Sequence, residues 1–220
     1  MTHFSDGVRA GRNFANNGTA SQPGVYMSPI NVYDIVPAAL VTNGICTQQT
    51  ITGAANAVIN GSLASGGVAT LDVPRNVIVD AAGAATAVLT IFGTDTYGIP
   101  MSEAITLNGT TAVAGKKAFK TITRIASSAT ATDIFVGTGD VFGLPIDANT
   151  RNYVLTAWNG AFVTTGTFVG ADATTATTTT GDVRGTYAVP DAADASKRLT
   201  LWVFVLDDDT QTGLYSVAQA

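Results

Sequence analysis

The sequence predicts an all-β protein: an antiparallel β-sandwich, Ig-like or jelly-roll-like, with an extended N-terminal arm. Three observations carry that expectation. Of the 16 acidic residues only Glu103 is a glutamate, and Asp favours turns and caps where Glu favours helix interiors. Asn-Gly steps at Asn43, Asn60, Asn108 and Asn159 separate short apolar runs; Asn-Gly readily takes the positive φ that a type I′ hairpin turn needs at both central positions. No i, i+3, i+4 apolar pattern of useful length runs anywhere.

Residues 1–45 read as the arm. The run from Asn16 to Gly24 is polar and turn-rich, and the spaced Phe4, Phe14, Tyr26 and Met27 have the character of docking anchors. Pro29 and Pro37 keep the intervening chain extended or at a sheet edge. Residues 46–146 read as the sandwich core. Its strands are expected over 68–72, 76–79, 87–92, 101–107, 118–125 and 133–136. Alternation from Met101 to Leu107 puts Met101, Glu103, Ile105 and Leu107 on one face, which places Glu103 near an edge or sheet end. Gly137–Gly143 reads as a turn.

Residues 147–220 supply further strands that complete the sandwich or form a smaller second β layer. Tyr153–Trp158, Asn159-Gly160 and Ala161–Thr164 together spell a two-residue hairpin. Thr174–Thr180 reads as an exposed strand or loop tip, and Asp191–Lys197 as at most two helical turns. The stretch Leu199–Leu206 is apolar on nearly both faces. Such a strand is either central and covered on both sides, or has one face buried against another subunit.

Composition narrows the function. Charged residues make up 12% against 46% hydrophobic, where about 25% charged is ordinary; uncharged polar surfaces suit β proteins that pack against neighbours. A net charge of −5 disfavours nucleic acid, which needs a basic stripe, and Lys116, Lys117 and Lys120 are too short a cluster to supply one. The single Cys46 permits no internal disulfide and no cysteine-rich zinc site, and reads as a small buried side chain. The N-terminus lacks the pattern of a signal peptide and no stretch has the length of a membrane span, so synthesis in the cytoplasm and no membrane partner are expected.

Catalytic equipment is sparse. The one histidine, His3, lies in the arm, so no Ser-His-Asp triad or multi-histidine metal site can be assembled in one chain. Gly109–Lys116 has five residues where a phosphate loop needs four, and no helix follows. Gly137–Gly143 misses the dinucleotide fingerprint by one residue and lacks a βαβ setting. Asp207-Asp208-Asp209 reads as a solvated turn, since neighbouring strand residues point to opposite faces. Arg75, Arg184 and Arg198 are candidates for interface hydrogen bonds or for solvated edge positions. No catalytic, cofactor or metal residue is assigned, and the expectation is a protein that is not an enzyme.

A resemblance adds a location. Asn60–Val77, then Leu89–Gly98 with Ser102–Thr106, Lys117–Thr123, Val136–Pro145, Gly181–Tyr187 and Arg198–Trp202 follow one another as in tailed-bacteriophage virion structural proteins. The resemblance covers roughly residues 48–220, and the segment order matches throughout. These proteins look like head decoration or cement proteins. That implies a place on the outer capsid surface, the major capsid protein as partner, and a homo-oligomer, trimer or dimer, that bridges capsid subunits. Two other stations remain open on the residues: a carbohydrate-binding sandwich for host attachment, with Trp158, Tyr153 or Trp202 as a sugar platform, and a tail or neck component.

Overall fold

A computed structural model describes residues 30–146, 148, 154–172 and 181–204. The arm residues 1–29, Tyr153, Thr174–Thr180 and Asp207–Asp209 lie outside these. The described chain is all-β. In order its strands are β1 Ile30–Ile35, β2 Cys46–Ile51, β3 Ala64–Ser65, β4 Val68–Ala81, β5 Val88–Thr94, β6 Pro100–Thr106, β7 Val113–Ala114, β8 Phe119–Ser127, β9 Ala131–Gly143, β10 Val154–Trp158, β11 Ala161–Phe162, β12 Thr167–Val169, β13 Thr186–Ala188 and β14 Leu199–Phe204.

All pairings are antiparallel and form two sheets. The larger runs β12-β13-β9-β4-β8-β5-β6, with β2 beside β9 and with β3 and β7 beside β4; the smaller runs β1-β14-β10-β11. The larger sheet curls because β4 changes partner along its length: Ala69 faces Ile122 of β8, whereas Val79 faces Val113 of β7 on one side and Val136 of β9 on the other. Register shifts between Thr70 and Arg75 and between Arg75 and Val77 mark bulges around Pro74. A bulge tolerates the missing Pro N–H and bends the strand. The two strands expected on either side of Pro74 are therefore one.

Two cores result. Leu71, Val77, Val79, Leu89, Ile91, Met101, Ile105, Ile122, Ile125, Ile134 and Val136 fill the curl of the large sheet. Phe142, Tyr187, Val154, Trp158, Leu199, Leu201 and Val203 form the second, between the small sheet and the far end of β9. Strand β9 joins them, pairing with β2 near Ile134 and with β13 at Phe142.

That continuity overturns the turn expected at Gly137–Gly143, which is the second half of β9. Its glycines serve close approach. A Cβ at Gly137 would lie 2.2 Å from the Val41 carbonyl oxygen, and one at Gly139 would lie 2.1 Å from Asn76 Oδ1. The short helix expected over Asp191–Lys197 is likewise absent. Asp194 Oδ1 accepts the Ser196 and Lys197 N–H groups, and Ala195 takes φ 67°, a local turn that competes with helix. Asn159 and Gly160 have φ 50° and 82° and close β10 onto β11 as expected. Asn43-Gly44 and Asn60-Gly61 are not hairpin turns: a Cβ at Gly61 would sit 2.2 Å from the Gly44 carbonyl oxygen, so the two loops press together.

Residues 30–35, read as part of the arm, are strand β1, held along its whole length by β14 from Ile30↔Phe204 to Ile35↔Leu199. It is an edge strand, as Pro29 and Pro37 suggested.

Candidate interaction surface

Most polar side chains buried in the described chain serve the fold. Arg75, 1% exposed, donates through Nε to the Gly139 carbonyl at 2.7 Å, through Nη1 to the Ala38 carbonyl at 2.9 Å and through Nη2 to Asp140 Oδ1 at 2.9 Å. Asp72 accepts the Ala38 N–H at 2.6 Å. One guanidinium thus ties β4, β9 and the segment after β1 into a unit, and its Cζ lies 5.2 Å from the Phe142 ring centroid. Asn76 does similar work, donating to the Gly115 carbonyl and accepting the Val141 N–H.

A second buried set surrounds the β7–β8 connection. Glu103, on the inner face of the terminal strand β6, accepts the Lys116 N–H at 2.5 Å and the Lys117 N–H at 3.2 Å. Burial raises its pKa above the ordinary carboxylate value, against the pull of those hydrogen bonds and of the nearby lysines. Asp182 accepts the Ala118 and Arg184 N–H groups, and burial raises its pKa too. Arg184 pairs with Asp95, which itself caps the β5–β6 turn by accepting the Tyr97 and Ile99 N–H groups. Arg75 and Arg184 are thus internal clamps, not interface groups. Arg198 differs: it is exposed and pairs with Asp34.

Cys46 is buried beside Gln49 and Val58, and burial pushes its thiol up to about 11. A thiol held protonated is a poor nucleophile. Among the described residues no group of three or more His, Cys, Asp or Glu side chains is gathered closely enough to hold a metal ion.

What remains is the outer face of the small sheet. Register assigns it residue by residue. On β14, Leu199, Leu201 and Val203 point into the second core while Thr200 and Trp202 point out. Trp202 lies opposite Val32 on one side and Leu155 on the other. Thr200 lies between Asp34 and Ala157, and Ala157 faces Phe162. Phe162 is 77% exposed, Val32 58%, Ile30 53% and Leu155 51%. The Phe162 and Trp202 ring centroids are 5.5 Å apart at 37°. These side chains make one contiguous apolar strip, bordered by the Asp34–Arg198 pair and by the Thr200 hydroxyl, which donates to Asp34 at 3.0 Å. Isolated exposed apolar residues are ordinary on soluble proteins, but a contiguous strip is a contact surface.

Of the sugar-platform aromatics, Trp158 is buried, its indole N–H donating to Asp191, Trp202 lies on the outer face, and Tyr153 is outside the described residues. The double-sided apolar pattern of β14 was the visible signal for this surface. Ile30, Val32, Leu155 and Phe162 carried no such signal, because each gains its place through partners far away in sequence.

Fold and surface together define a class: an all-β protein with clamped interior charges and one apolar sheet face turned outward. No family model, curated protein or solved structure matches the chain.

Proposed function

We propose that this chain is a bacteriophage capsid decoration (cement) protein that binds the outer head surface and stabilises it by bridging capsid subunits. The observation that carries the reading is the exposed strip Val32–Trp202–Leu155 with Phe162 beside it. A protein that acts by contact needs such a face more than it needs a deep pocket, and repetition by capsid symmetry multiplies modest contacts. The ordered run of segments that resembles tailed-bacteriophage structural proteins supports the same role. The partner is the major capsid protein, met by a homo-oligomer of two or three copies. Binding of the purified protein to heads that lack it tests the idea, with head stability to heat or chelator as the readout. Heads equally stable with and without it would sink the cementing role.

One observation favours a second reading. The tilted Phe162–Trp202 pair beside the polar Asp34, Thr200 and Arg198 has the ingredients of a sugar platform, as a host-attachment module on the virion would need. Glycan binding lost on Phe162→Ala would support it; a blank glycan array removes it. A tail or neck station on the same fold is separated from a head station by imaging labelled particles.

A further inference from the structure

The geometry points to β1 as a self-pairing edge: two copies of this chain join through antiparallel β1–β1′ pairing into one continuous eight-stranded sheet. Among the described residues, strand β1 ends the small sheet, with β14 on one side only, and its six residues Ile30–Ile35 run without a bulge against β14. Natural edges are guarded by Lys, inward-pointing charges, proline or bulges. Here the prolines, Pro29 and Pro37, stand outside the strand, so they bound the open ladder without blocking it. The one charge on the strand, Asp34, is occupied by Arg198 and Thr200 of its own chain. At the opposite end of the sheet, β11 has only two residues and offers little to pair with.

The occupant that fits this edge is a second β1. A two-fold axis perpendicular to the sheet makes the pairing isologous, so the same stretch of β1 satisfies both chains. Registers centred on Asn31, Val32 or Tyr33 keep both outer faces on the same side. All three keep each Asp34 away from its counterpart, so no like charges face each other. Centring on Val32 sets Val32 against Val32′, and centring on Asn31 sets Ile30 against Val32′. Val32 gains an apolar neighbour across the axis in both registers and Ile30 gains one in the register centred on Asn31, and the two outer strips merge into a face of twice the span. This pairing stands apart from the capsid reading, because it is tested on the purified protein alone.

Light scattering during gel filtration gives the mass of the full chain. A particle of twice 22.4 kDa is expected, falling to one copy in Val32→Lys and in Asn31→Lys while circular dichroism stays that of the folded protein. A monomeric or trimeric wild type overturns the proposal, as does a dimer that Phe162→Asp dissociates and the β1 changes leave intact. Because an edge lysine can also disturb the fold, the single substitutions Asn31→Cys, Val32→Cys and Tyr33→Cys provide a second measurement. Opposite residues in such a ladder have Cα atoms ~4.5–5.5 Å apart, within disulfide reach, and the native Cys46 is buried. At least one variant should give a covalent dimer on mild oxidation; none doing so overturns the pairing.

Discussion

Arg75 shows how a charge can be buried without becoming a site. Its donors meet two backbone carbonyls and the carboxylates of Asp72 and Asp140, a planar fork that an ammonium cannot reproduce. Arg75→Met should cost about 3 kcal/mol in chemical denaturation, the scale of a broken buried pair. Arg75→Lys should recover less than half of that loss. Glu103 offers a prediction in pH. Its folded pKa is raised by burial above the ordinary 4.5, so the folded protein holds this proton more tightly than the unfolded chain. The resulting contribution is full below pH 4.5 and is lost as pH rises through the folded value. Glu103→Gln, which cannot titrate, should therefore compare least favourably with the wild type below pH 4.5 and more favourably at pH 7. Glu103→Ala removes the acceptor for two backbone N–H groups and should be about 3 kcal/mol less stable than Glu103→Gln at both pH values. Equal pH profiles for wild type and Glu103→Gln would contradict the raised pKa.

Elements here are shaped by glycines of two kinds. Gly160, at φ 82° with open space where a Cβ would stand, is a conformational glycine. Gly137 has no need of positive φ but lies against the Val41 and Thr42 backbone, with contacts of 2.2–2.5 Å to an added Cβ. Gly160→Ala should cost about 1 kcal/mol for left-handed backbone. Gly137→Ala should cost about 3 kcal/mol, because a backbone neighbour cannot rotate away as a side chain can. Thermal or urea unfolding of the two variants checks the order, and the reverse order would contradict the assignment. The hairpin at Asn159-Gly160 was legible in sequence because every signal for it lies within a dozen residues. The continuation of β9 through Gly137, Gly139 and Gly143 was not, because those glycines answer to Val41, Asn76 and Ala118, which are remote in the chain.

At the level of the whole molecule, stability and contact belong to different surfaces. The interior clamps hold β4, β9 and the Asp182–Arg184 segment, while the strip on β1, β14, β10 and β11 faces outward. Phe162→Ser and Leu155→Asp should each leave unfolding within about 0.5 kcal/mol of wild type, as exposed substitutions usually do. Both should weaken binding to heads lacking the protein at least tenfold in a cosedimentation titration. Undiminished binding would move the docking surface elsewhere.

Alternation, turn chemistry and the near absence of glutamate were enough to determine the class, all-β, because these are local properties of backbone and side chain. They also showed β14 as apolar on nearly both faces. Which face would be covered was decided only by tertiary structure. Antiparallel register places Val32 and Leu155 on either side of Trp202 across about 170 and 50 residues of chain, a separation at which local pattern carries no pairing information. The same long-range choice drew residues 30–35 out of the arm and made them the edge of a sheet.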